Sequence, residues 1–308
     1  MTNEQDVGAD FLIRELNERE VRVVRLNTER GPDWKLTLSP TDGWWLSRGE
    51  RALRSDECVG VWWRRPEVPV DAGTGPARDV IGDQWRAFIA ALAVAKGPTW
   101  VSEPTNIRAA EEKALQLYEA RSVGFSVPET LLTNDWDEAR AFVERWHGGA
   151  VVKSVTSAWW EDEGQARFVY ASLVTVDRLP TPRRLASAPV CFQQPISPKR
   201  DIRVTVVGDT ALAAVRAVSL ADPDQPIDWR RARDQPWSVY TLPDEITRAC
   251  CALVKRFRLR FSGIDLALDR EGRLWFLELN PNGEWGWLQR AGLPIAEALA
   301  DTLLCRPR

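Results

Sequence analysis

The sequence predicts an α/β protein built from two or three small domains. Its 308 residues are too many for one compact core. Strand and helix patterns alternate in the first and last thirds, whereas the middle pairs strand patterns across a polar turn. This order predicts an N-terminal parallel α/β domain over residues 1–100, a linker helix and small antiparallel subdomain over 101–190, and a C-terminal antiparallel-sheet domain over 191–308.

The first third begins with a helix rather than a strand. Residues 8–19 place Phe11, Leu12 and Leu16 on one helical face. Strand patterns and one further helix pattern follow, at 21–26, 35–39, 43–47, 58–66 and, for the helix, 82–97. A parallel sheet normally starts with a buried strand, and none is expected before residue 8. Either that strand is missing or the sequence starts too far downstream, and we favour the second explanation.

The middle third reads as a helix followed by a small antiparallel unit. A helix is predicted over 106–124, from Asn106 as its N-cap to Gly124. The strand, helix and strand patterns after it cover 126–133, 134–149 and 150–155. A polar turn at 156–165 then leads into a returning strand at 166–176.

The last third contains two hairpins separated by a helix. After a strand at 189–196, residues 201–219 form a strand pair that turns at Gly208 and Asp209. A helix over 243–259 leads into the final hairpin, residues 261–282, which turns at "DREG".

Composition excludes several classes of protein. The net charge of -3 gives no field that favours nucleic acid or an anionic membrane. The longest apolar run, Phe88 to Ala95, is far too short for a membrane span, and no secretory pattern opens the chain. The five cysteines form no CxxC pair, so reduced thiols and a cytoplasmic location are expected.

The single histidine narrows the chemistry further. His147 lies in "RWHGG", which is typical of a helix end, and no serine elbow supports a triad around it. A zinc site is also disfavoured. Any catalysis is therefore expected to depend on carboxylates, arginines, lysines and a metal ion.

The final hairpin carries a candidate metal site. Glu278 and Asn280 share one strand face, and pairing across the hairpin can bring Asp265 beside them. Two carboxylates and an amide oxygen form a hard-oxygen set suited to magnesium. The alternative is a pair of unrelated acids on exposed strand faces.

Cations elsewhere in the sequence could bind phosphate oxygens. Lys153 ends a strand directly before the polar turn, whereas Lys113 in mid-helix is more typical of a solvated lysine and Lys199 of a turn cap. Five arginines and one acid stand near the proposed metal hairpin or end a strand: Asp201, Arg203, Arg216 and Arg230, with the Arg64 and Arg65 pair in the first domain. Arginine forks suit planar or tetrahedral oxyanions, although any one of them is more often a surface residue.

Taken together, these segments resemble the ATP-grasp ligases. The motifs "VVK", "FQQPI", "KRDIRVTVVGD", "GIDL" and "FLELNPNG" occur in that family's order and approximate spacing. "VRVVRLNTE", "VWWRRP" and "EEKALQLYEARSVGFSVPETLLTND" look like those of the ATP-grasp maturases of ribosomal peptides, the microviridin-type graspetide ligases. The resemblance covers nearly the whole chain and implies a three-part ATP-grasp fold.

The resemblance implies a role for each candidate residue. Lys113 and Lys153 would contact ATP phosphates, and Asp201 would face the nucleotide near its ribose. Gln194, Pro195 and Ile196 would form the hinge against adenine. Arg203, Arg216 and Arg230 would steady the γ-phosphate and an acyl phosphate. Asp265, Glu278 and Asn280 would hold two Mg²⁺ ions, and the turn 154–164 would close over the phosphates.

The substrate implied by the resemblance is a ribosomal precursor peptide, with a leader and a core of acidic and hydroxyl residues. Arg64 and Arg65 are candidates for contact with the acidic core, although they could simply close a strand before Pro66. Trp159 and Trp160 could dock an apolar leader or pack within the turn. A homodimer is expected from the resemblance alone.

Three departures from the family pattern concern substrate and nucleotide detail. Gln194 stands where many members carry an acid, Glu284 stands where glutamine is expected, and the turn 154–164 holds only Gly164. Two other functions remain open: a ligase that adds an amino acid such as glutamate to a protein or small molecule, and a nucleotide-binding scaffold without catalysis.

Overall fold

The computed structural model describes residues 1–69, 76–95, 97–156, 159–162, 165–220, 226–231 and 235–305. For residues 76, 159–162 and 165–168 it describes the backbone alone. Within these ranges no helix is both long and apolar enough to cross a membrane.

The N-terminal third joins a three-stranded meander to a short parallel sheet. Its elements are α1 (Val7–Glu18), β1 (Lys35–Ser39), β2 (Gly43–Arg48), β3 (Arg51–Arg54), β4 (Gly60–Trp62), α2 (Pro76–Ala91) and β5 (Thr99–Val101). The meander runs β1-β2-β3, and β4 pairs with β5 in parallel. The expected helix at 8–19 and the strands at 35–39 and 43–47 are confirmed. The predicted strand at 58–66 is shorter, because only residues 60–62 pair.

A short extended segment does precede α1, contrary to the sequence prediction. Thr2 forms a parallel bridge with Asn27, and its N–H donates to the Leu26 carbonyl at 3.0 Å. On the other side, the Arg64 N–H donates to the Met1 carbonyl at 3.0 Å. Residues 1–3 therefore lie between the 26–28 segment and the end of β4, which is the position of a central strand.

The long helix predicted over 106–124 is two helices, α3 (Pro104–Ala110) and α4 (Lys113–Ser122). The buried Gln116 side chain explains the break, because its amide donates to the Ala110 carbonyl at 2.6 Å and to the Leu279 carbonyl at 2.8 Å. It also accepts from the Leu279 N–H at 3.0 Å. Lys113 is consequently the first residue of a helix rather than a mid-helix residue.

The middle of the chain forms a small antiparallel subdomain. Its elements are β6 (Thr130–Thr133), α5 (Trp136–Glu144), β7 (Ala150–Lys153), β8 (Trp159–Asp162), β9 (Gln165–Phe168), β10 (Ser172–Val174), α6 (Pro182–Ala186) and β11 (Val190–Gln193). The sheet order is β10-β7-β11-β6, and β8 pairs with β9 separately. The returning strand predicted at 166–176 is therefore two strands, of which only β10 pairs with β7.

The C-terminal part contains a five-stranded antiparallel sheet in the order β14-β13-β12-β15-β16. Its elements are β12 (Arg200–Val207), β13 (Thr210–Arg216), β14 (Trp237–Tyr240), α7 (Asp244–Arg256), β15 (Phe261–Leu268), β16 (Leu274–Asn280), α8 (Gly286–Arg290) and α9 (Ile295–Leu304). The domain limits at 100 and 190 stay a proposal. Since β11 pairs with β6 and β7, the middle sheet extends past residue 190.

Two adjacent glycines after α5 form a matched pair for a stability prediction. Gly148 and Gly149 have φ values of 88° and 101°, which favour glycine. A Cβ on Gly148 would meet nothing within 4 Å, whereas one on Gly149 would collide with the Val174 carbonyl oxygen. We expect Gly148→Ala to lower the free energy of unfolding by about 1–2 kcal/mol. Gly149→Ala should cost clearly more in urea unfolding, and equal losses would contradict the assigned collision.

Candidate functional site

The final hairpin brings the predicted metal ligands together. Asp265 on β15 is the register partner of Glu278 on β16, and Gly263 is the partner of Asn280. A β-bulge lies next to this pair, since the following partners are Leu266 and Phe276. The Asn280 side-chain amide donates to Asp265 Oδ2 at 3.1 Å. Two carboxylates and one amide therefore meet at one point of the sheet, as the spacing predicts.

Arg203 lies on β12, which pairs with β15 on the side away from β16. It is the register partner of Asp265, and its guanidinium donates to Asp265 Oδ1 at 2.9 Å. It also donates to the Glu284 carbonyl at 3.3 Å. A Cβ on Gly263 or Gly283 would collide with this guanidinium. These two glycines, which no sequence pattern linked to the site, leave the space that buried Arg203 occupies.

Asp201 forms the centre of a buried ionic cluster. Its carboxylate pairs with Lys199 Nζ on one oxygen, and Arg216 NH1 lies 3.6 Å from the other. Burial raises the pKa of Asp201, while Lys199 and Arg216 oppose that shift. The turn-capping role expected for Lys199 is wrong, because its side chain is buried against Asp201. Its place two residues before Asp201, directly ahead of β12, was the available signal.

The two lysines predicted to bind phosphate reach the same cavity, one from a helix and the other from a strand. Lys113 Nζ, at the start of α4, lies 3.3 Å from Glu278 Oε1. Lys153 Nζ, at the end of β7, donates to Gln193 Oε1 at 3.1 Å. Burial lowers the pKa of Lys153. Gln193 is buried and its side-chain amide donates to Thr130 Oγ1 at 2.9 Å, a role that no sequence pattern indicated.

The predicted hinge, Gln194 to Ile196, connects β11 to β12. The Gln194 N–H donates to the Glu129 carbonyl at 2.8 Å, and its side-chain oxygen accepts from the Glu129 N–H at 3.2 Å. Gln194 and Ile196 line the central cavity, with Pro195 between them in the chain. Both the backbone and the side chain of Gln194 thus hold the hinge against the backbone of Glu129.

Arg230 has a strong partner of its own. Its guanidinium donates to both oxygens of buried Asp228, at 2.8 and 2.6 Å, and lies 5.3 Å from the Tyr170 ring centre. Asp228 also accepts from the Ala171 N–H at 3.0 Å. Arg230 lines the central cavity, and its side chain is 44% exposed, whereas those of Arg203 and Arg216 are buried with their own carboxylate partners.

The Arg64 and Arg65 pair does not form one exposed patch. Arg64 is fully buried, where its guanidinium donates to the carbonyls of Asn282 and Gly283. Its ion pairs are with Asp6 at 3.5 Å and Glu284 at 3.1 Å. Burial lowers the pKa of Arg64 to about 10, so it stays charged at neutral pH. Only the Arg65 side chain, 43% exposed, faces solvent for a substrate.

Arg64 therefore has a structural effect that we expect to measure in stability. Arg64→Met should lower the free energy of unfolding by at least about 3 kcal/mol, because it leaves Asp6 and the loop carbonyls buried without a cation. Arg65→Met is the matched control, since Arg65 pairs with the same Glu284 from the surface. The control should lose less than about 1 kcal/mol. Similar losses in urea unfolding would contradict the buried role.

Most of these groups line one cavity of about 860 Å³ between the middle subdomain and the C-terminal sheet, and Arg64, Pro195 and Arg216 lie outside its lining. The sequence-predicted residues that line it are Arg65, Lys113, Lys153, Gln194, Ile196, Asp201, Arg203, Arg230, Asp265, Glu278 and Asn280. A cluster of three or more His, Cys, Asp or Glu side chains that could hold a metal is absent from the described part of the chain. A metal ion here would thus depend on Asp265, Glu278 and amide oxygens.

The predicted lid is only partly described. Residues 159–162 and 165–168 form the β8–β9 hairpin within the segment 154–164 and just beyond it. The side chains of Trp159 and Trp160, and the whole of Gly164, lie outside the described residues.

Comparison with known proteins supplies structural relatives. No protein-family model matches the chain, and no curated protein does. The crystal structure of macrocyclase MdnC bound with precursor peptide MdnA from Microcystis aeruginosa MRC matches 98% of this chain and 98% of that chain, with 27% identity and a TM-score of 0.87. Macrocyclase MdnB from the same organism matches 98% and 97%, with 28% identity and a TM-score of 0.79.

A third relative extends the likeness in fold. The Chryseobacterium gregarium RiPP-associated ATP-grasp ligase, in complex with ADP and a leader and core peptide, matches 98% of this chain and 94% of that chain. Its TM-score is 0.87 at 24% identity, a level at which it supports the fold alone. The fold of this chain is that of an ATP-grasp ligase over nearly its whole length, as the sequence predicts.

Proposed function

We propose that this chain, which has the fold of ATP-grasp ligases that modify ribosomal peptides, is an ATP- and Mg²⁺-dependent carboxylate ligase. It activates side-chain carboxylates of a ribosomal precursor peptide and joins them to hydroxyl or amine side chains as ω-ester or ω-amide links. The observation that carries the proposal is the Asp265–Glu278 pair facing Lys113, Lys153 and Arg203 in one cavity. Support comes from the macrocyclases MdnC and MdnB, at 27% and 28% identity.

The donor set fits magnesium. Asp265, Glu278 and Asn280 are hard oxygen ligands, and Asn282 Oδ1, on the same cavity wall, is buried without a hydrogen-bond partner among the described residues. These residues would hold two Mg²⁺ ions. When bound, magnesium neutralises phosphate charge and orients the nucleotide.

The remaining cavity residues are assigned to ATP. Gln194, Pro195 and Ile196 hold adenine largely through backbone groups, and Asp201 lies on the ribose side. Lys113 and Lys153 bind phosphate oxygens from opposite walls, since one belongs to α4 and the other to β7. In the structure Lys113 pairs with Glu278. When ATP binds, a phosphate oxygen would replace the Glu278 carboxylate as the partner of the Lys113 ammonium.

The chemistry follows from this arrangement. A substrate carboxylate oxygen attacks the γ-phosphorus of ATP, the bond from that phosphorus to the bridging oxygen breaks, and ADP leaves. A hydroxyl or amine then attacks the acyl carbon, phosphate leaves, and the nucleophile's proton passes to it. Arg203, Arg216 and Arg230 stabilise the charge that develops on the phosphoryl oxygens. The protein otherwise orients the two peptide groups and excludes water.

Nucleotide binding should depend on pH through Lys153. Burial lowers its pKa below the ordinary lysine value of 10.5, so the ammonium that binds phosphate is lost at a lower pH than usual. We expect ADP affinity to fall as the pH rises through that lowered pKa, at a lower pH than ordinary lysines titrate. Lys153→Arg keeps its charge at every pH used, so its calorimetric ADP titrations should lose this alkaline decline. A decline that persists in the variant would assign it to another group.

The test of function is ADP release with magnesium, measured with and without a short Thr/Ser/Asp/Glu-rich precursor peptide encoded beside the gene. We expect precursor-dependent ADP release and loss of one water mass from the peptide per bond formed. ADP release with a mass gain on another acceptor would favour addition of an amino acid such as glutamate. Nucleotide binding without either signal would favour a non-catalytic scaffold.

Two further properties belong to the proposal. A cytoplasmic location is inferred from the composition and the cysteine pattern, with no nucleic acid or membrane as partner, and a homodimer is inferred from the family likeness alone. Sedimentation of the purified chain tests the homodimer, since a monomer at all concentrations would exclude it.

A further inference from the structure

Three tryptophans form a compact aromatic group at one end of the central cavity. The ring centres of Trp229, Trp237 and Trp287 lie 5.3, 5.8 and 4.6 Å apart, and all three line the cavity. Each is half-buried, so part of every indole faces the cavity space. The proposed chemistry assigns a role to none of them.

The tryptophan group packs on a hydrophobic core on one side and lines the cavity on the other. Trp237 and Trp287 pack on a hydrophobic core that includes Phe261, Trp285 and Leu288. Trp229 comes from the segment before β14 and lies against both other indoles. A rigid apolar wall in a cavity whose other walls carry charged groups is typical of a subsite for a side chain, not of the phosphate site.

The aromatic group lies at the arginine end of the cavity. Trp237 is the register partner of Arg216. Trp287 follows Glu284 by three residues, and the Glu284 carbonyl accepts from Arg203. A carboxylate held for phosphorylation near Arg203, which lines the cavity, would thus place its own neighbouring residues against the indoles. Arg65 and Arg230 also line this cavity, and their side chains, 43% and 44% exposed, can bind a peptide carboxylate in addition to Glu284 and Asp228.

The segment that carries Trp229 is attached to the middle subdomain. Asp228 accepts from the Ala171 N–H, and Arg231 donates to Ser172 Oγ at 3.0 Å. Trp229, between these two residues, instead contacts the C-terminal part of the chain. The aromatic group is therefore completed by a segment that also contacts the subdomain carrying Lys153.

We propose that Trp229, Trp237 and Trp287 form a subsite for an aromatic or large aliphatic side chain adjacent to the carboxylate that is activated. The ligand is an acidic peptide in which such a residue neighbours the reacting Glu or Asp. This inference rests on the proposed function and adds to it a preference for one sequence context. Hydrophobic pockets of this kind discriminate side chains by tenfold or more.

The experiment compares two short blocked peptides that differ only beside a single Glu, which is flanked by Phe in one and by Ala in the other. Hydroxylamine serves as the acceptor: its nitrogen attacks the acyl phosphate, phosphate leaves, and a hydroxamate forms. ADP release gives the rate without knowledge of the natural acceptor. We expect the Phe peptide to have a KM about tenfold lower than the Ala peptide at similar kcat.

Variants locate this preference. Trp229→Ala should bring the two KM values together by raising that of the Phe peptide, whereas Trp229→Phe should retain most of the difference. Trp45→Ala is the control, because Trp45 is a 40% exposed tryptophan on β2, in the N-terminal meander. It should change neither KM, and no variant should change the KM for ATP.

The outcomes separate the subsite from the activity beneath it. Equal KM values in the native protein, or a preference that survives Trp229→Ala, would overturn the subsite and leave the ligase proposal standing. Nucleotide binding with no ADP release from any peptide would overturn the peptide-ligase proposal and the subsite with it. A preference for the Phe peptide that is lost in Trp229→Ala, but kept in Trp229→Phe and Trp45→Ala, supports both the subsite and the ligase proposal.

Discussion

Glu278→Gln is expected to lower precursor-dependent ADP release by on the order of a thousandfold. The substitution keeps the shape of the side chain but removes one of the two carboxylates at the register pair Asp265–Glu278. With one carboxylate gone, the site holds less negative charge for magnesium, and the phosphoryl charge is left poorly compensated. The measurement is ADP release over a range of Mg²⁺ concentrations, together with magnesium-dependent ADP binding by calorimetry.

The same hairpin provides the control. Glu271 is an exposed acid in the turn between β15 and β16, so Glu271→Gln changes the net charge equally without touching the cavity. It should behave like the native protein. A Glu278→Gln protein that keeps native ADP release at every magnesium concentration would remove Glu278 from the metal site.

Arg203→Lys should reduce the rate of ADP release by about 10²- to 10³-fold while the protein stays folded. Lysine keeps the positive charge but cannot span Asp265 Oδ1 and the Glu284 carbonyl at once, as the guanidinium does. The loss should therefore fall mainly on kcat, because the charge that arginine meets develops during phosphoryl transfer. Single-turnover ADP release and thermal unfolding test this together.

Gly283→Ala offers an independent approach to the same arginine. Its Cβ would occupy the space of the Arg203 guanidinium, so it should reproduce part of the Arg203→Lys defect. Arg273→Lys is the matched control on the final hairpin, where Arg273 is exposed beside Trp275. A normal rate in both Gly283→Ala and Arg203→Lys would contradict a catalytic role for Arg203.

The sequence predicts the parts of this site that depend on strand periodicity. Residues two apart share a face, so the positions of Asp201 with Arg203 and of Glu278 with Asn280 follow directly from spacing. Hairpin pairing then brings Asp265 to Glu278. The resemblance to ATP-grasp ligases, in turn, rests on the order and approximate spacing of these segments along the chain.

Long-range packing explains what the sequence did not predict. The burial of Arg64 depends on carbonyls at Asn282 and Gly283, more than two hundred residues away, which no local pattern indicates. The break before Lys113 depends on Gln116 meeting Leu279. The space for the Arg203 guanidinium lies between Gly263 on β15 and Gly283 in the turn after β16, so it exists only when both segments are in place. Each of these features exists only after the sheets have formed.

Gln116 also has a consequence for how the C-terminal sheet meets its surroundings. Strand β16 is the last strand of that sheet, and an open edge there could pair with another chain. Its Leu279 backbone groups are instead occupied by the Gln116 amide, and its Phe276 N–H donates to the Ser126 carbonyl at 2.8 Å. The edge is protected at both points against strand addition and edge-to-edge aggregation. No further strand can therefore pair with β16 at Phe276 and Leu279 while these bonds hold.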